Sequence, residues 1–123
     1  MNDFQLEAFL EQMAFEEKRH FSPHYFCAVT GIADLKFATE YLLFEAKKPF
    51  NRKLNVFYEV ECPEGDSDFT IDSPDHVPND LRVCQYCGTA YFPDPRKIWI
   101  AFDFTKDYTD FVKKKSATKM SRF

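Results

Sequence analysis

The 123-residue sequence predicts an α+β fold in which N-terminal helices pack on a small antiparallel ribbon-like sheet, with a C-terminal strand and a short helix. Three observations predict it. Apolar residues recur at helical spacing as far as residue 48, and from Leu54 the pattern turns to that of a strand. Cys84-Gln85-Tyr86-Cys87-Gly88 then sets two sulfurs ahead of a glycine, the signature of a metal-binding knuckle.

Residues 4–19 form the first expected helix, with Leu6, Phe9, Leu10 and Met13 on one stripe and Glu7, Glu11, Glu16 and Glu17 elsewhere. Ser22-Pro23 ends it, because proline disfavours a helical residue before itself. A connection through His24–Thr30 leads to a break at Gly31. The second helix covers 32–48. Its apolar residues spread round most of the wheel, as in a helix packed on several sides, and Pro49 stops it.

Leu54–Cys62 is rich in β-formers and runs as a strand into the first cysteine. Asp68–Asp72 is a second, short strand, and the Pro-rich stretches at Ser73–Asp75 and Val77–Asp80 are turns. Leu81–Cys84 leads into the knuckle and Thr89–Phe92 leads out of it. Ile98–Phe104 is a further strand, and 106–115 a last short helix. The organisation is one domain over 1–123: a helical part (1–50), a ribbon-like β part (54–104) and a basic flexible tail (113–123).

Composition narrows the function. Fifteen Phe, six Tyr and one Trp supply large apolar side chains enough for a core in a short chain. The net charge of −4 argues against general binding to phosphate backbones. Only three glycines are present, so no glycine-rich phosphate loop can be built, and no Ser-His-Asp or Cys-His arrangement stands out. The start is acidic, without the pattern of a secretory signal. No stretch nears the roughly 18 apolar residues of a membrane span. With four cysteines in metal rather than disulfide spacing, a cytoplasmic protein is expected.

Cys62, Cys84 and Cys87 are three ligands for a tetrahedral zinc ion. Three residues compete for the fourth position. His76 is placed first on ligand chemistry, and it lies in a Pro-rich turn. Asp66 and Cys27 are the alternatives, the latter because a thiolate from the helical part could close the site. His20, His24 and Cys27 invite a second site, but Pro23 keeps the histidines off one regular helix face, and they read as ordinary loop residues.

Strand, cysteine, short strand, turn and Cys-x-x-Cys-Gly together resemble the zinc-ribbon class. Over residues 60–92 the chain resembles the Cys-His-Cys-Cys zinc-finger family: Cys62, Gly65-Asp66, the strand Phe69-Thr70-Ile71, then Cys84-Gln85-Tyr86-Cys87-Gly88 and Tyr91-Phe92. Asp66 stands where that family has its histidine, and the resemblance implies a zinc ribbon.

The expected function is that of a protein-interaction or regulatory subunit with a structural zinc, without catalytic residues and with a protein partner. A nucleic-acid-associated regulator acting through the basic tail, where Lys113, Lys114, Lys115, Lys119 and Arg122 follow Asp110 without an acid among them, is the alternative. A zinc-dependent enzyme ranks below both. The acidic segment between Lys53 and Arg82 reads as a solvated face that does not contact phosphate.

Overall fold

A computed structural model describes residues 2–120, in the order α1 (Asp3–Phe15), α2 (Pro23–Thr30), α3 (Leu35–Ala46), β1 (Leu54–Glu61), β2 (Ser67–Ile71), a 3-10 turn (Pro74–His76), β3 (Arg82–Val83), β4 (Ala90–Tyr91), β5 (Ile98–Phe104) and α4 (Lys106–Met120). The fold is α+β, as expected. The chain forms two compact units, one of residues 2–55 with 102–120 and one of residues 56–101. No helix among the described residues is long and apolar enough to cross a membrane.

The first unit is helical. Asn2 and Gln5 start α1 with a reciprocal capping box, at 2.9 and 3.1 Å, and Leu6, Leu10, Met13 and Ala14 form its buried stripe. The helix stops at Phe15 rather than running to 19, and Glu17 and His20 take left-handed backbone conformations. Residues 23–30, expected as a connection, are the helix α2. Ser22 accepts from the Tyr25 N–H at 3.1 Å, Pro23 occupies the first turn, and Gly31 (φ 79°) closes the C-terminus. The dipeptide that ends one helix therefore begins the next.

Asp34 caps α3, whose buried side chains are Ala38, Leu42, Glu45 and Ala46. Leu35, Phe37 and Phe44 are exposed, so α3 is packed on one side rather than on several. Tyr108 and Val112 of α4 pack with Ala14 of α1 and Phe104. Lys113 pairs with Glu17, just past α1, and Lys115 with Glu11 of α1 at 2.9 Å. Residues 113–120, expected in the flexible tail, thus continue α4. Residues 121–123, Arg122 among them, lie outside the described residues, as does the side chain of Lys119.

A three-stranded sheet has the order β2-β1-β5, and β3 and β4 form a separate two-stranded ribbon. β1 and β2 pair antiparallel from Tyr58↔Ile71 to Glu61↔Ser67, with a bulge between Val60 and Glu61 just ahead of the first cysteine. The Glu61 N–H donates to the Lys97 carbonyl at 3.0 Å and the Thr105 N–H to that of Lys53 at 2.9 Å, so β5 runs antiparallel to β1.

Candidate metal centre

Two knuckles in the second unit face one another. In the first, the Cys62 N–H donates to the Asp66 carbonyl at 2.8 Å and the Gly65 N–H to the Cys62 carbonyl at 3.0 Å. In the second, the Cys84 N–H donates to the Thr89 carbonyl and the Gly88 N–H to the Cys84 carbonyl, both at 2.9 Å. Gly65 (φ 92°) and Gly88 (φ 77°) take the left-handed turn that closes each knuckle. Backbone N–H groups point back at the sulfurs, from Asp66 to Cys62 at 3.4 Å and from Tyr86 to Cys84 at 3.5 Å.

These turns gather Cys62, Asp66, Cys84 and Cys87 into one group whose ligand atoms lie within 4.8 Å of one another, and the group could hold a metal ion. Cys62 Sγ is 3.7 Å from Cys87 Sγ and 3.9 Å from Asp66 Oδ2. Cys62 and Cys84 are buried against Tyr91, whereas Cys87 is exposed. Burial pushes the Cys62 thiol up, while hydrogen bonding to Thr89, whose Oγ1 is 3.3 Å from the sulfur, holds the Cys87 thiol below its usual range.

The three expected cysteines are brought together, and the fourth member of the group is Asp66 in place of His76. His76 closes the exposed 3-10 turn, its N–H donating to the Ser73 carbonyl at 3.0 Å, and this turn keeps it out of the group. Cys27 lies on α2, in the other compact unit, and is likewise no member.

The most consequential residue behind the knuckles is Asp68, expected as part of a solvated acidic face but fully buried. Its carboxylate accepts from Arg82 Nε at 2.6 Å, from the Gln85 N–H at 3.1 Å and from the Tyr91 hydroxyl, and the Gln85 side-chain amide donates to its carbonyl. Burial alone would push this carboxyl up. The hydrogen bonds from Arg82, Tyr91 and Gln85 outweigh it and hold the group at about 2. Arg82 also stacks on Phe69, 4.1 Å from the ring centre. One signal was present in the sequence: Arg82 is the single base between Lys53 and Arg96, in a segment rich in carboxylates.

Compared with protein-family models, with curated proteins and with solved structures, the chain finds no match.

Proposed function

We propose that the chain is a small zinc-ribbon-like protein in which a structural zinc ion, held by Cys62, Asp66, Cys84 and Cys87, fixes a protein-interaction or regulatory module. The observation that carries this reading is the convergence of four donors from two knuckles. Zinc–sulfur bonds of about 2.3 Å at tetrahedral angles separate sulfurs by about 3.8 Å. The Cys62–Cys87 distance of 3.7 Å fits that geometry. Three thiolates favour a soft ion over magnesium or calcium. Four protein donors fill a tetrahedron, and thiolate charge makes zinc a poor Lewis acid, so the role that follows is structural. Thiols grouped for a metal suit a reducing, cytoplasmic setting.

An interaction role is supported by the exposed apolar side chains of the ribbon unit, Leu81, Val83, Tyr86, Phe92 and Trp99. The reading is tested by metal content per chain in protein purified without a tag, beside Cys84→Ser and Asp66→Ala. One zinc per wild-type chain is expected, with loss of metal and of thermal stability in Cys84→Ser and a weakened site in Asp66→Ala. Metal-free wild type that melts like Cys84→Ser sinks the proposal.

A further inference from the structure

We propose that the outer face of the β3–β4 hairpin docks an apolar segment of another protein that carries Lys or Arg. The inference rests on the interaction-module reading above and names the chemistry of the partner. Arg82 pairs with Tyr91 and Val83 with Ala90, so side chains alternate between two faces of this hairpin. The inner face is committed: Arg82 and Tyr91 both hold Asp68, and Cys84 belongs to the metal group. That commitment fixes the register and turns Leu81, Val83, Ala90 and Phe92 outward together. Leu81 and Val83 are each 60% exposed and Phe92 66%, and Tyr86 at the knuckle tip is 69% exposed. A contiguous apolar patch on so short a ribbon is the kind of surface that marks an interaction site.

Charge selects the occupant. The unit of residues 56–101 holds nine carboxylates against three cations, Arg82, Arg96 and Lys97. Two of those cations are already paired with carboxylates of the same unit, Arg82 with Asp68 and Arg96 with Asp94. Asp72, Asp75 and Asp80 are exposed and make no ion pair among the described residues. Two copies of this unit would each bring the same negative balance, and a phosphate backbone would meet the same repulsion. A Lys- or Arg-bearing protein segment meets complementary charge and covers the apolar side chains.

The test displays a random 12-residue peptide library to the immobilised full chain, and sequences what is retained. Selected peptides are expected to combine apolar residues with Lys or Arg. They should bind the Val83→Ser/Phe92→Ser double variant about tenfold or more weakly, as loss of a central aromatic anchor does, and bind Phe44→Ser, altered on α3, like wild type. Both replaced side chains are exposed, so the double variant is expected to melt within a few degrees of wild type. Selection of acidic or uncharged peptides, no selection at all, or undiminished binding to the double variant overturns the proposal. So does a wild-type dimer, seen by sedimentation, that this variant makes monomeric. Metal content of the same preparations separates the two readings. Zinc-free protein that selects basic peptides loses the ribbon reading and keeps the docking face; zinc-bearing protein that selects none does the reverse.

Discussion

Asp68→Asn is the perturbation that tests most of the second unit at once. The side chain is fully buried and its two oxygens serve three donors: the Arg82 guanidinium, the Gln85 N–H and the Tyr91 hydroxyl. Asparagine keeps one acceptor oxygen and turns the other into an NH2 that faces donors. The lost charge-assisted bond to Arg82 is worth about 1.5–3 kcal/mol, and a buried donor left unpaired costs about 1–3 kcal/mol more. Arg82 is 38% exposed and can turn part of its charge to water, which discounts the first figure. A loss of about 2–4 kcal/mol remains, which for a chain of this length lowers the melting temperature by roughly 10–15 °C.

The assay is thermal unfolding of zinc-saturated protein followed by Trp99 fluorescence. Trp99 is the single tryptophan and lies in the same unit, its indole N–H donating to Glu61. Arg82→Met, which leaves the carboxylate buried without its cation, should cost at least as much as Asp68→Asn. The double variant should be more stable than the two single losses predict when added. The carboxyl sits at about 2, below its ordinary 3.8, so its contribution is complete above the ordinary value and is lost as pH falls towards 2. The gap between wild type and Asp68→Asn therefore narrows across that window. A loss under about 1 kcal/mol, or additive single losses, would refute the placement of Asp68 as the keystone behind the knuckles.

Three further outcomes follow from the same geometry. Cys84 is buried and Cys87 exposed, so Cys84→Ser should cost more thermal stability than Cys87→Ser, although both lower zinc affinity in a chelator competition. Gly88→Ala meets no atom within 4 Å of its new methyl, so its cost is the left-handed backbone alone, about 1–2 kcal/mol, and Gly88→Asn should recover part of it in the same melt. Lys113 and Lys115 pair with Glu17 and Glu11 at the surface, so Gln at both should lower the melting temperature only slightly, an effect that vanishes in high salt. That variant should also leave the chain without affinity for a single-stranded oligonucleotide at physiological salt, as for wild type. Salt-sensitive binding by wild type alone would restore the nucleic-acid reading.

What the sequence made legible was local. Helical spacing located α1, α3 and the start of α4, and β-former runs located β1, β2 and β5. Ser22-Pro23 reads as a terminator of the helix before it, yet the same two residues suit equally the N-cap and first turn of α2, and only the fold decides between them. Beyond residue 113, α4 carries Lys113 and Lys115 to Glu17 and Glu11, partners far away along the chain that local charge cannot disclose. Cysteine spacing identifies three members of the candidate metal group. Intrinsic ligand preference put His76 ahead of Asp66, but the Asp66 carbonyl closes the Cys62 turn and carries its own side chain to the site. Asp68 is hidden among the seven other carboxylates between Lys53 and Arg82 because its burial depends on Arg82, Gln85 and Tyr91, fourteen to twenty-three residues on.

The two knuckles explain why an aspartate completes the group. Cys62 closes on the carbonyl of Asp66, and Cys84 on that of Thr89, so the first turn is one residue shorter. In both, a glycine with positive φ directly precedes the accepting residue. Aligned on that glycine, Asp66 corresponds to Thr89, and what the first knuckle lacks is the counterpart of Cys87. The residue after the glycine then offers the fourth donor of the candidate group: Thr89 Oγ1 lies 3.3 Å from Cys87 Sγ, and a carboxylate at the same place reaches the group itself. A cysteine inserted between Glu64 and Gly65 should restore the longer turn and give four thiolates. The cobalt-substituted protein should then gain sulfur-to-metal charge-transfer intensity, and chelators should remove zinc more slowly than from wild type. Gly65→Cys cannot substitute for the insertion, because it places a side chain at φ 92° at a cost of about 1–3 kcal/mol. An insertion that leaves the cobalt spectrum unchanged would mean that the two turns are not equivalent, and that Asp66 is held at the site by something other than a shortened knuckle.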